Sequence, residues 1–351
     1  MERVIQTGII GYGLSGRFFH APFLKTNPGF AVTRIAARHS GFAGELFPDA
    51  GIAGDYREII DDPDIELAVI TTPNIYHFPM AKDCLLAGKH VVVEKPFVPT
   101  TAEADELIAL SRKVQKHIFV YHNRRWDGDF RTVQQILRGR RLGKLLEYEA
   151  HFDRYAPLRT RATWRDDPLP ASGLLYDLGP HLIDQALLLF GKPEAVFADI
   201  CSQRPAGKVD DYFHLHLYYS GHKVILKAGV FVKEAGPRYI LHGDNGSFVK
   251  KGIDPQEELL RKGFLPFSDD WGTDQEENHG ILHFVSDGKD VRTPVPTEAG
   301  DYGHFYRNVY DVLAKDSAPA VKPEEARAVI RIIELAFESN KTKSIIPFTE
   351  R

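Results

Sequence analysis

The spacing of apolar residues divides this chain near residue 122. Before that point, short apolar runs alternate with segments of helical period. Residues 4–10, 31–37, 67–71, 90–93 and 118–121 are strand-like. Residues 15–26, 56–60, 78–87 and 101–113 are helix-like, with Gly88 just past the third of these. Pro99 and two threonines open the fourth, and Glu103 supports its cap. Strands that are apolar throughout are expected where helices cover both faces of a sheet. The alternation therefore predicts an α/β, doubly wound, mainly parallel sheet.

After residue 122 the rhythm changes. A basic helix over 127–137 ends at Gly139 and Gly143, a long strand follows over 145–155, and 173–190 holds a mostly apolar helix. Strands then succeed one another at 195–201, 212–219, 223–232, 239–242 and 247–251. Ser220-Gly221 and Asn245-Gly246 sit where hairpin turns belong. Helices return at 302–314 and 324–340, and the polar stretch 252–300 has no clear period. This half predicts an α+β domain on one large, open, mainly antiparallel sheet, so residues 1–122 and 123–351 are expected to form two domains. The length of 351 residues agrees, because single cores stop growing at about 250–300.

Composition narrows the function. With 43% hydrophobic and 26% charged residues the chain is globular, and a net charge of −4 gives no reason to bind nucleic acid. Cys84 and Cys201 are too few for a disulfide framework and fit no metal motif, so both are expected as reduced thiols in a cytoplasmic protein. Residues 4–10 are too short for a signal peptide, and no apolar run approaches the ~18 residues that cross a membrane.

Two places carry chemistry. Gly11-Tyr12-Gly13-Leu14-Ser15-Gly16 matches G-x-G-x-x-G between a strand and a helix. In that context the glycines allow a tight turn, close approach to a pyrophosphate, and close helix–strand packing. The free N–H groups of the helix start then favour the anion. An NAD site usually has Asp or Glu ~20 residues on, at the end of the second strand. Arg38 stands there instead, followed by His39 and Ser40, with no carboxylate before Glu45. An arginine can hold the 2′-phosphate of NADP, although one at a strand end can also be merely solvated. Thr71, Thr72, Pro73 and Asn74 follow another strand and would line the nicotinamide side. His77 either caps the next helix or faces the same crevice.

The second place concerns proton transfer. Glu94-Lys95-Pro96 follows the strand at 90–93 and puts Lys95 at a carboxyl end, as a desolvated proton-handling lysine or as a surface one. On the apolar helix, Asp177, His181 and Asp184 are spaced i, i+4, i+7 and can form one polar stripe. Pro180 is a candidate first residue of the regular helix. Histidine is suited to proton transfer near neutrality, but a narrow solvated face has the same spacing.

Taken in order, these motifs resemble the Gfo/Idh/MocA oxidoreductase family over essentially the whole chain. Phe19-His20-Ala21-Pro22, His122-Asn123-Arg124-Arg125-Trp126-Asp127, His151-Phe152-Asp153-Arg154 and Tyr239-Ile240-Leu241-His242-Gly243 resemble its NADP-dependent scyllo-inositol dehydrogenase branch. The resemblance implies a Rossmann NADP(H)-binding domain followed by a substrate-binding domain. The open sheet of that second domain would join a homodimer or homotetramer. It further implies a Lys95/Asp177/His181 catalytic group and a Trp164-Arg165 pair reaching the cofactor. Asn123 and Arg124 become candidate cofactor or substrate contacts, and Phe152, Asp153 and Tyr155 candidate sugar-pocket residues. The substrate would be a polyol or sugar, with neither metal nor membrane involved. Rival readings are reduction of another sugar, NAD-dependent glycoside hydrolysis, and a non-catalytic cofactor sensor.

Overall fold

The computed structural model describes residues 3–37, 44–158, 167–266, 268 and 270–350. They form two compact units. The first comprises Met1–Asn123, Gln256–Trp271 and Asp301–Arg327; the second comprises Arg124–Pro255, Gly272–Gly300 and Ala328–Arg351.

The first unit is built on six parallel strands: β1 (Ile5–Ile10), β2 (Phe30–Ala36), β3 (Gly51–Ala53), β4 (Leu67–Ile70), β5 (His90–Val93) and β6 (Ile118–Val120). Their order is β3-β2-β1-β4-β5-β6. Strand order reverses at β1, so the carboxyl ends of β1 and β4 flank the point where such sheets bind ligands. Helices α1 (Ala21–Thr26), α2 (Arg57–Ile60), α3 (His77–Leu86) and α4 (Thr101–Val114) connect the strands. Thr100 and Glu103 form a reciprocal capping box at the start of α4. The helix expected over 15–26 begins as a π-helical turn, Gly16–His20. Pro22 follows in the first turn of α1 and has no N–H to continue the regular ladder, which accounts for the change of pitch. Strand β3 escaped the sequence pattern because it has three residues, of which Ala53 alone is buried.

A single break at residue 122 does not describe this unit, because the chain returns to it with residues 301–327. The cause is aromatic: Tyr306 and Tyr310 meet Phe30 edge-on at 5.7 and 6.1 Å, and Tyr302 meets Phe23 at 6.3 Å. Such pairs add about 0.5–1.5 kcal/mol each beyond area burial.

The second unit holds α5 (Gly128–Arg138) and α6 (Leu174–Phe190), with strands β7 (Leu145–His151), β8 (Ala195–Cys201), β9 (Tyr212–Tyr218), β10 (Lys223–Gly229), β11 (Tyr239–Gly243), β12 (Gly246–Lys250), β13 (Gly280–Ser286), β14 (Lys289–Val295) and β15 (Ile346–Pro347). Two further helices, α7 (Gln256–Arg261) and α8 (Gly303–Lys315), belong to the first unit. Helix α9 (Pro323–Thr342) follows. The sheet order is β14-β13-β12-β11-β7-β10-β9-β8-β15, antiparallel except where β7 pairs with β10. Its pleat sorts side chains by parity. On β9, Phe213, Leu215 and Leu217 are buried on the face that receives α6, whereas Tyr212, His214, His216 and Tyr218 are half-buried on the other. The region 252–300 contributes the β13–β14 hairpin. Its turn is Asp287-Gly288, both with positive φ, as a two-residue hairpin turn of this kind requires. No described helix is long and apolar enough to cross a membrane.

Candidate active site

In the first unit the glycine motif forms a cradle. Gly11 turns with φ +93° and donates its N–H to Ala36 O at 2.8 Å. A Cβ on Gly16 would lie 2.6 Å from Gly11 O and 2.8 Å from Thr71 Oγ1, so only glycine fits that contact. A Cβ on Gly13 would meet nothing within 4 Å, and that open side is where a phosphate would approach. Thr71 caps the turn by donating its hydroxyl to Gly11 O at 2.6 Å. The residues present therefore fit a dinucleotide phosphate group. Tyr12 and Leu14 belong to the cradle, and the Tyr12 hydroxyl is buried. Arg38, His39, Ser40, Trp164 and Arg165 lie outside the described residues.

At the end of β5 the Glu94 carboxylate is buried and accepts three donors. These are the Ser15 hydroxyl, His20 Nε2 at 3.0 Å and the Lys95 backbone N–H at 2.9 Å. Burial alone would raise its pKa; the His20 hydrogen bond, the nearby positive charges and Ser15 outweigh that and hold it at about 2. Glu94 thereby links the cradle to Lys95, which is half-buried on a cis peptide to Pro96. His77 neither caps a helix with its side chain nor reaches an open crevice. Its buried ring lies between Pro96 O (2.8 Å) and Thr72 O (3.0 Å), so it braces the two turns that follow β4 and β5. Burial holds its pKa below the ordinary histidine range, against the pull of both carbonyls. Thr72 and Pro73 are half-buried; Asn74 is buried in a 3-10 turn, Asn74–Tyr76.

In the second unit α6 begins at Leu174, so Pro180 is an interior residue rather than the first one. Asp177 still falls in the first turn. The helix start is held from outside. Leu174 N–H donates to Asp210 O at 2.9 Å, and Leu175 N–H to Asp210 Oδ2 at 2.7 Å. Gly173 has φ +95°, and a Cβ there would strike the Asp210 carboxylate. Burial pushes the Asp210 carboxyl up to about 6. His181 and Asp184 are buried, which rules out a solvated polar face. Asp184 is spent on Arg125, so of the three spaced residues it belongs to the scaffold.

Phe152 faces α6, its ring 6.4 Å from that of His181. The guanidinium of Arg238 lies 3.6 Å over Phe152 and 4.5 Å over Tyr239, that of Arg124 lies 5.0 Å over Phe152, and Arg238 pairs with Asp129 at 3.4 Å. Asp153 follows Phe152 but joins His151 (3.6 Å) and Lys227 (3.5 Å) instead. Burial would raise its carboxyl pKa, but these partners hold it below the usual range. Phe152 and Asp153 are thus not brought together, because the backbone just past β7 stays extended, with Phe152 and Arg154 N–H donating to Lys227 O and Gly229 O, and neighbours on extended backbone point opposite ways. Tyr155 is exposed beside Lys233. Sequence reasoning missed Arg238, Asp210 and the use of His20, because each acts through a partner remote in sequence. Among the described residues no group of three or more His, Cys, Asp or Glu could hold a metal.

Comparison with known proteins agrees with this architecture. Residues 5–122 match the oxidoreductase-family NAD-binding Rossmann fold, and residues 134–348 match the oxidoreductase-family C-terminal alpha/beta domain. The chain is 41% identical to scyllo-inositol 2-dehydrogenase (NADP(+)) of Bacillus subtilis, over 97% of this chain and 95% of that one. A solved oxidoreductase structure from Bacillus subtilis superposes with a TM-score of 0.97 at 40% identity, covering 99% of each chain. One from Bacteroides fragilis gives 0.90 at 43%, covering 99% of this chain and 100% of the other. Both halves of the chain match in order, and it belongs to the Gfo/Idh/MocA family of oxidoreductases.

Proposed function

We propose that this oxidoreductase is an NADP-dependent dehydrogenase of a cyclic polyol, with scyllo-inositol as substrate. The cofactor class rests on the cradle: Gly13 open to a phosphate, with Gly11, Gly16 and Thr71 closing the turn behind it. The substrate rests on 41% identity to an enzyme of that name. The preference for NADP rests on Arg38, with His39 and Ser40, in place of an acid.

The bound nicotinamide supplies hydride exchange. The chain supplies orientation and proton handling. His181 takes the proton of the reacting hydroxyl during oxidation and returns it during reduction. Asp177, one turn earlier on α6, orients the histidine and a neighbouring hydroxyl. Lys95 donates a hydrogen bond to the reacting oxygen and lowers the cost of its alkoxide character. Phe152 limits how far the His181 ring can swing, because it is itself held under Arg238. Asn123, Arg124, Trp164 and Arg165 complete the cofactor and substrate contacts, and the half-exposed face of the nine-stranded sheet joins subunits of a cytoplasmic homo-oligomer.

Initial rates with a panel of inositols and aldoses, each with NADP⁺ and NAD⁺, test this reading. Scyllo-inositol turnover selective for NADP⁺ is expected. Lys95→Ala and His181→Ala should each lower kcat by about 10²–10⁴-fold. Preference for NAD⁺ would remove the role of Arg38, and turnover of an aldose alone would move the substrate to another sugar. No turnover despite tight NADPH binding would favour a cofactor sensor.

A further inference from the structure

Three buried side chains from separate parts of the chain form a line that ends at the cradle. Tyr306 on α8 places its hydroxyl 2.6 Å from His20 Nδ1, and His20 Nε2 lies 3.0 Å from Glu94 Oε1. Tyr306 and His20 are fully buried, and Glu94 nearly so. Neighbours hold the line in place. The Tyr121 ring lies 4.0 Å from that of His20 and donates its hydroxyl to Phe19 O at 2.5 Å, while Phe305 meets Tyr121 edge-on at 4.8 Å.

The direction of the hydrogen bond to Glu94 follows from chemistry. Glu94 is ionised and only accepts, so His20 carries a proton on Nε2. Burial raises the Tyr306 pKa well above its ordinary value, so the phenol keeps its proton in its 2.6 Å hydrogen bond with Nδ1. The ring orientation that turns Nε2 toward Glu94 also turns Nδ1 toward Tyr306, so both contacts are made at once. Glu94 is then aimed so that its two oxygens meet Ser15 in the cradle and the backbone N–H of Lys95.

We propose that Tyr306 and His20 are positioning residues for the dinucleotide site: they fix the Glu94 carboxylate, and through it Ser15 and Lys95. The proposal rests on the dinucleotide reading above. It also gives residues 301–327 a purpose within the first unit, since the cradle is not fully braced without Tyr306.

Titration of NADPH fluorescence with the full-length protein, its Tyr306→Phe and Glu94→Gln variants and the double variant tests it, with a melting temperature for each. Tyr306→Phe should weaken NADPH binding about tenfold. The double variant should bind no more than about twofold worse than Glu94→Gln alone, because both changes break one line. Two-bond ¹H–¹⁵N spectra should show His20 in one state with a proton on Nε2 in the wild type, with loss of that single state in Tyr306→Phe. Wild-type affinity in Tyr306→Phe, multiplying effects in the double variant, or a His20 ring without a proton on Nε2 would each overturn the proposal. If the wild type binds NADH rather than NADPH, the same four titrations run with NADH; the assignment to NADP then fails while the line is still tested. If it binds neither, both fall together.

Discussion

Arg125 and Asp184 form a buried two-pronged ion pair, Nε to Oδ2 at 2.8 Å and Nη2 to Oδ1 at 2.6 Å. Asp184 lies one turn beyond His181 on α6, so the pair fixes the rotation of the helix that carries the proposed base. Removing one partner strands the other charge away from water, which typically costs about 3–5 kcal/mol. Arg125→Ala should lose stability of that order in urea unfolding. Arg125→Lys keeps the charge but loses the fork, and should lose less. Equal losses would mean that the two-pronged geometry contributes nothing.

The cradle glycines separate binding from folding. Gly13→Ala adds a methyl to open space, so the melting temperature should stay within about 2 °C of wild type while NADPH affinity falls at least about tenfold. Gly16→Ala drives a methyl against Gly11 O and Thr71 Oγ1, and should lower both. Unchanged NADPH affinity in Gly13→Ala would remove the phosphate from this turn.

Asp210 carries a charge the fold disfavours. Its folded pKa of about 6 exceeds the ordinary 3.8, so the folded state holds the proton more tightly than the unfolded state between these values. Its ionisation therefore subtracts stability as pH rises through that window, and the full cost remains above it. Asp210→Asn keeps an oxygen for Leu175 N–H and should stabilise the protein by up to about 3 kcal/mol at pH 8. The gain should vanish near pH 4. Denaturation of both proteins at the two pH values checks this, and a gain independent of pH would mean the charge is not its source.

His90 works in the opposite sense. Its Nδ1 accepts the backbone N–H of His117 at 3.0 Å, and burial, with help from nearby positive charges, depresses its pKa to about 3. Below about pH 6.5 the unfolded chain takes up a proton that the folded one refuses. The stability owed to the neutral ring is complete above that pH and declines as pH falls toward 3. The wild type should lose more stability than His90→Gln between pH 7.5 and 5, measured by thermal melts. Parallel curves would mean that His90 titrates normally.

Much of the fold and part of the site are legible without coordinates. Strand 195–201 coincides with β8, the capping box at Thr100 and Glu103 forms, and G-x-G-x-x-G lies between a strand and a helix. The Asp287-Gly288 turn goes unread within 252–300, because the polar residues around it hide the two strands it joins. These features depend on neighbours a few residues away: periodicity, a side chain reaching its own backbone, and glycine where Cβ cannot fit.

Burial and pairing needed the tertiary structure. The i, i+4, i+7 spacing put Asp177, His181 and Asp184 on one stripe but could not tell that Arg125, 59 residues away, claims Asp184. The alternation of extended backbone beyond β7 separates Phe152 from Asp153, although they are adjacent in sequence. Nothing local marks Tyr306 as the partner of His20 across 286 residues, or residues 301–327 as part of the first unit. A buried charge or hydroxyl takes whatever partner the packing brings within about 3 Å, and the packing is a property of the whole chain rather than of any window along it.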